Sequence, residues 1–313
     1  MLTASYEARP FGVRSALPLY KARALCPELI VVQPDFDRYR EASRTVFAIL
    51  ARGATAVEGL SLDEAYVAID TDALDAAVAY ARIVRAAVRA EAGLTVSAGV
   101  AAQKMVAKIA SDAAKPDGLA AVAPGDEAAY LAPMPVGRLW GVGPKTQLRL
   151  TARGIEMIGD VAVLSDAAVF ELFGRAGKSM RDLARGIDPR TVESDQATRS
   201  VSAEETFEYD LADGPDLRSA LRGLCADVAR RLEAHGLRGS TIGIKIRRSD
   251  FSTLGRQTSV AQPTRDAALI EAAALLCLER AALGGGTIRL LGVRIASISE
   301  EAERQISLFV PDA

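Results

Sequence analysis

Hydrophobic spacing sorts the first half of the chain into helices with short strands between them. Phe36, Tyr39, Val46, Phe47 and Leu50 recur as one helical stripe, on a helix that Asp35 caps and Gly53 ends. A shorter helix opens at Pro18 and is closed by Pro27, and alanine-rich residues 73–92 make a strong helix stopped by Gly93. Val57, Leu60 and Leu62, followed by Tyr66, Val67 and Ile69, read as two short strands or one bent strand. Thr95–Val100 reads as a buried strand, and the run from Gln103 to Lys115 returns to helical spacing until Pro116 and Gly118 break it.

Beyond it, residues 136–190 form a small helical unit and the polar residues 191–198 a linker. From Arg199 the pattern is strand (199–209), helix (215–235), two strands (240–261), helix (264–283) and strand (287–298). That is βαββαβ, the ferredoxin-like element order, and the fold class is α+β. Ile242, Ile244 and Ile246 alternate with Lys245 and Arg247, so the isoleucines face a core and the cations face outward.

Composition narrows the chemistry. The 313 residues allow two or three compact units. Three dispersed cysteines support neither a disulfide framework nor a zinc knuckle, and the single histidine, His235, nearly removes histidine-based metal sites and Ser-His-Asp catalysis. Carboxylates, Lys, Arg and Tyr remain as reagents. No apolar run reaches membrane-spanning length and no basic-then-apolar leader opens the chain, which places it in the cytoplasm without a membrane partner. A net charge of −2 makes any nucleic-acid surface a matter of local clustering.

Asp63 and Glu64 are the candidate reagents. Neighbours in a flat strand leave on opposite faces, so these two share a partner only where the backbone bends, as at a hairpin tip. Two convergent carboxylates attract a hard divalent ion such as Mg²⁺, which takes one or two carboxylates plus substrate phosphates; a solvated turn is the bland alternative. Helical spacing puts Lys104, Lys108 and Lys115 on or near one flank, as solvated lysines or as a polyphosphate grip. Gly141-Val142-Gly143-Pro144-Lys145 offers exposed N–H groups at a helix start, suited to a backbone phosphate in a helix-hairpin-helix, or else a plain inter-helix turn. Lys245, Arg247, Arg248 and, on the next strand, Arg256 form a basic patch able to neutralise a row of phosphates. Gly174-Arg175-Ala176-Gly177-Lys178-Ser179 ends like a P-loop, but its leading glycine position holds Leu172, so no NTPase loop is present. Gln305-Ile306-Ser307-Leu308-Phe309 is an apolar island in a polar tail and reads as a docking peptide.

The ordered series Ser5-Tyr6-Glu7-Ala8-Arg9 with Phe11-Gly12-Val13, Ser61-Leu62-Asp63-Glu64-Ala65-Tyr66, Ala107-Lys108-Ile109-Ala110-Ser111-Asp112 through Lys115-Pro116, and Gly141-Val142-Gly143 resembles the Y-family of translesion DNA polymerases, the DNA polymerase IV type, from Thr3 to about Ile298. The resemblance implies fingers (1–34), a ferredoxin-like palm (35–135), a helical thumb with its helix-hairpin-helix (136–190), a linker (191–198), a little finger (199–299) and a tail with a clamp-binding peptide (300–313). It implies two Mg²⁺ ions held by Asp63 and Glu64, with Glu64 completing the site near the primer 3′ end. Thr3, Tyr6, Arg9 and Lys115 would hold the incoming dNTP. Gly141, Gly143 and Lys145, with the little finger's cations, would hold primer-template DNA, and Gln305, Leu308 and Phe309 would engage a sliding clamp, the protein acting as a monomer. The implied activity is error-prone, template-directed DNA synthesis in repair; a catalytically silent DNA- and clamp-binding scaffold is the alternative.

One departure carries weight. The family begins with a further palm strand bearing a metal-binding aspartate and then an aromatic residue that excludes ribonucleotides, and nothing before Thr3 supplies either. The expectation is a shortened reading frame, with Met1 inside a longer protein, activity reduced by orders of magnitude and a palm sheet left unpaired at an inner position.

Overall fold

The helical stripes become α1 (Leu19–Leu25), α2 (Phe36–Leu50), α3 (Leu74–Ala92) and α4 (Lys104–Ala113) in a computed structural model that describes residues 1–194 and 197–300. The chain divides into two compact units, Met1–Asp195 and Gln196–Ala313. The carboxylate of Asp35 accepts from Arg38 N at 3.1 Å, the expected cap of α2. Gly93 ends α3 at φ 65°, a left-handed conformation that glycine adopts without cost. Only the C-terminal half of α2 reaches α3: Ile49, Val84 and Val88 form that cluster, while Phe36 and Tyr39, expected in the buried stripe, are exposed and meet each other edge-on at 5.8 Å.

Between α2 and α3 lies the hairpin of β1 (Ala56–Gly59) and β2 (Ala65–Ala68), and α4 joins β3 (Ala98–Val100) to β4 (Leu119–Ala121) in a parallel crossover. Helix α4 lies directly on β3, since a Cβ at Gly99 would stand 1.9 Å from Ala107 O. The two strand pairs are separate two-stranded sheets and not one four-stranded sheet. The inner face of α4, Met105, Val106, Ile109 and Ala110, shares a core with Leu131 of α5 (Glu127–Leu131), Leu150 of α6 (Pro144–Thr151), Ile158 of α7 (Ile158–Ala162), Leu172 of α8 (Asp166–Phe173) and Leu183 of α9 (Gly177–Ala184).

Residues 191–194, read as linker, are instead fastened to the first unit. Lys104 Nζ donates to Thr191 O at 2.9 Å, Glu193 N donates to Glu58 Oε2 at 2.9 Å, and Val57 N donates to Ser194 Oγ at 3.2 Å. Polar sequence looked like solvated linker because its partners lie more than 80 residues away.

The second unit carries β5 (Ser200–Leu211), α10 (Pro215–Ala234), β6 (Leu237–Arg248), β7 (Thr253–Thr264), α11 (Ala267–Arg280) and β8 (Ile288–Glu300), the βαββαβ order read from spacing. Its antiparallel sheet runs β5-β8-β6-β7. Leu217, Leu221, Val228 and Leu232 of α10 and Ile270, Ala274 and Cys277 of α11 bury one sheet face, against Ile242, Ile244, Ile246, Leu291, Val293 and Ile295. The strand period of two leaves the other face polar. All three cysteines are buried and free.

Candidate active site and nucleic-acid surface

Asp63 and Glu64 sit where the pleat no longer separates neighbours, in the turn at the tip of the β1–β2 hairpin. Leu60 N and Ser61 N both donate to Glu64 O, at 2.8 and 3.3 Å, and this closes the turn. The Asp63 carboxylate is exposed and accepts Ser61 Oγ at 2.5 Å. Glu64 is half-buried and accepts Lys108 Nζ at 3.0 Å. Lys104 and Lys108, one turn apart on α4, both face the hairpin and are ion-paired there. Lys104, its side chain 10% exposed, turns inward to Glu58 at 2.5 Å; Lys108 reaches Glu64; Lys115, just beyond the helix end, pairs with Asp112 at 2.7 Å.

Lys115 lies within electrostatic reach of both the hairpin and the N-terminal segment. Its ammonium is held above the ordinary lysine range, first by the hydrogen bond to Asp112, against a burial cost, and then by the charges of Asp112, Glu64 and Tyr6. The Arg9 guanidinium lies over the Tyr6 ring, 4.1 Å from its centroid, and its Nε donates to Ala4 O at 3.3 Å. Arg9 and Tyr6 are thus in contact, the charges of Glu64 and Tyr6 reach the Lys115 ammonium, and Asp63 adjoins Glu64 at the tip. Thr3 is exposed just upstream of Ala4. Among the described residues no cluster of three or more His, Cys, Asp or Glu side chains converges. A hard cation fits such a site as a partly hydrated ion completed by substrate phosphates, and the exposed oxygens of Asp63 are of the right chemistry.

Beneath the hairpin runs a charged network that sequence reasoning did not identify. Glu58 lies opposite Tyr66 in the hairpin register, is 5% exposed, and accepts from Lys104, which also stands 4.8 Å from the Tyr66 ring centroid. Burial pushes the Glu58 carboxyl up, but hydrogen bonds from Lys104 and Glu193 N, with the charges of Lys104 and Arg190, outweigh it and hold the group below the ordinary range. Buried Asp188 takes a two-pronged contact from Arg190, 2.7 Å to each oxygen, and accepts Met105 N at the start of α4 at 3.1 Å. Arg190 in turn lies 5.7 Å from the ring centroid of Trp140. Burial of Tyr66 pushes its phenol up to about 12. The only advance signal was Glu58 itself, an acid inside a short apolar strand.

Gly141 adopts φ 90° and Gly143 precedes α6, with Pro144 at the first helical position and Lys145 exposed in the first turn. No side chain caps this helix start, so its N–H groups remain available to an anion.

The basic patch of the second unit is corrected at two positions. Lys245 and Arg247 point from the open sheet face, but Arg256 pairs in register with buried Ile244 and therefore lies on the helix face, where its Nε donates to Arg280 O at 3.2 Å. Arg248 follows a register shift beside Ile288, and its Nε is buried. Charge counting ignored the parity of the strand. The same parity adds Arg294, exposed on β8 and level with Gly243. Glu204 offsets part of the row through its pair with Lys245 at 2.8 Å. Gln305, Leu308 and Phe309 lie outside the described residues.

The impB/mucB/samB family model matches residues 1–112, the model of that family's C-terminal domain matches 198–308, and its HHH-motif model matches 124–155. DNA polymerase IV of Halorhodospira halophila is 44% identical over 306 residues, covering 96% of this chain and 85% of the relative. DNA polymerase IV of Streptomyces coelicolor is 41% identical, covering 97% of this chain and 64% of the relative. The fold matches a Y-family DNA polymerase chimera, Dbh-Dpo4(243-245)-Dbh, at a TM-score of 0.85 and 23% identity over 96% of this chain and 87% of the other. An insertion ternary complex of Dbh DNA polymerase matches at a TM-score of 0.67 and 22% identity, over 95% and 86%. Identity of 44% held across nearly the whole chain is the mark of common descent, and the chain belongs to the Y-family DNA polymerases, in the DNA polymerase IV group.

Proposed function

We propose that this protein is a template-directed, error-prone DNA polymerase of translesion synthesis and repair, transferring nucleotidyl groups from dNTPs to a primer 3′ end. What supports the reading is the pair of acids at the hairpin tip, with the charge of Glu64 reaching the Lys115 ammonium and Arg9 stacked on Tyr6. Asp63 and Glu64 hold Mg²⁺, which when bound supplies charge neutralisation for the attacking 3′-oxygen and the leaving pyrophosphate. Lys115 and Arg9 bind the triphosphate as cations fixed before the substrate arrives, so little reorganisation is needed as charge grows on the phosphates. Tyr6 orients Arg9 by stacking, and Thr3 adds a hydroxyl at the rim. Lys108 holds Glu64 in place and offsets its charge when no cation is near.

Residues 1–34 serve as fingers, 35–135 as palm, 136–190 as thumb and 199–299 as little finger. Gly141, Gly143 and Lys145 grip the DNA backbone from an uncapped helix start. Lys245 and Arg247 contact phosphates from the open sheet face, and Arg294 joins them there. Gln305, Leu308 and Phe309 dock the protein, a monomer working in the cytoplasm, on a sliding clamp.

Primer extension tests the reading. Mg²⁺-dependent extension that Asp63→Ala abolishes supports the enzyme. Retained primer-template binding with no extension favours the silent scaffold.

A further inference from the structure

Lys115 lies outside α4, in a sharp turn, and a flexible lysine there contributes little to substrate binding unless the turn itself is fixed. The turn is wound closely over the helix end: a Cβ at Gly118 would stand 2.1 Å from Ala114 O, and Asp117 adopts φ 45°, a left-handed conformation unfavourable for a residue with a side chain. An outside element holds it there. From α3, Arg85 NH2 donates to Asp117 O at 2.5 Å and to Asp117 Oδ1 at 3.0 Å, while its Nε donates to Val96 O at 3.0 Å, just before β3. Arg89, one helical turn on, also pairs with the Asp117 carboxylate. The Arg85 side chain is 22% exposed, so these contacts are partly shielded from water. On the far side of the turn, Ala98 N donates to Gly118 O at 3.0 Å, which ties it to the start of β3.

We infer that Arg85 is a positioning residue for the incoming nucleotide: its guanidinium locks the Lys115–Gly118 turn to α3 and to the entry of β3, and so fixes the Lys115 ammonium where it pairs with Asp112 at 2.7 Å. The inference rests on the triphosphate role of Lys115 proposed above. Only a planar, forked cation serves, because Val96 O and Asp117 must be engaged at once from different nitrogens, and a lysine offers a single nitrogen.

The test is equilibrium dNTP binding by the full chain on a primer-template whose primer ends in a dideoxynucleotide, with Mg²⁺ present, so that no turnover is needed. Loss of hydrogen bonds to a charged group gives a weakening of roughly tenfold for Arg85→Ala. Arg85→Lys, which keeps charge and most of the volume, recovers less than half of that loss and guards against a misfolded alanine variant. Primer-template affinity stays within about twofold, a separation that general loss of structure does not give. In the Lys115→Ala background, Arg85→Ala adds nothing further, because both act through one ammonium. If Lys115→Ala alone leaves dNTP affinity unchanged, the reading of the site falls and the inference with it. If Lys115→Ala weakens binding but Arg85→Ala and Arg85→Lys do not, or if the two losses add in full, the positioning role alone is overturned.

Discussion

Replacing Lys104 by methionine isolates the charged network beneath the hairpin. Lys104 and Glu58 side chains are 10% and 6% exposed and their charged atoms are 2.5 Å apart. Removing one member leaves the other charge buried, and breaking such pairs costs about 3–5 kcal/mol. Glu58 keeps the N–H of Glu193, so Lys104→Met belongs near the lower figure, about 3 kcal/mol. The double variant Glu58→Gln/Lys104→Met removes both charges and recovers most of that loss, because uncharged groups of similar volume need no ionic partner. Trp140 is the only tryptophan and lies in the first unit against Arg190, so its fluorescence during urea unfolding follows this network without the screening that an ionic denaturant adds. A Lys104→Met unfolding free energy within about 1 kcal/mol of the parent, or single losses that simply add in the double variant, would refute the reasoning.

Further outcomes follow from the same geometry. Glu58 and Asp188 both titrate below their ordinary values in the folded chain, so the stability they add is full above the unfolded carboxylate range and is lost as pH falls through their depressed folded values. The Trp140-monitored midpoint therefore drops on acidification below about pH 5, and Glu58→Gln with Asp188→Asn flattens that slope. Gly99→Ala forces a methyl to 1.9 Å from Ala107 O against helix backbone that has no free space, and destabilises the first unit by roughly 3 kcal/mol or more in the same urea assay. On the second unit, Arg294→Ala and Lys245→Ala each reduce the salt slope of primer-template binding by about one, while Arg256→Ala leaves it unchanged.

What was legible in the sequence was whatever depends on period and neighbours. The spacing of Ile242, Ile244 and Ile246 set the sheet face of β6, and two acids between apolar runs marked a hairpin tip, because only a turn lets Asp63 and Glu64 converge. Long-range pairing was not legible. Glu58 with Lys104, and Asp188 with the start of α4, join residues 46 and 83 positions apart, and no local pattern announces a buried charge or its partner. Arg256 was misplaced and Arg294 missed for a single reason: which face a strand cation takes depends on register across the sheet, which composition does not carry. The division of the first unit's strands into two pairs was not legible either, since spacing gives strands but not their partners.

The most direct measurement is Mg²⁺-dependent incorporation of a single dNTP opposite a template base, compared between the chain as it stands and Asp63→Ala, with dNTP affinity read in parallel. Metal-dependent incorporation, however slow, that disappears with Asp63 while primer-template binding persists is the expected result. Incorporation that survives Asp63→Ala, or dNTP affinity indifferent to both Mg²⁺ and Lys115, would contradict the assignment of this hairpin tip as the site of nucleotidyl transfer.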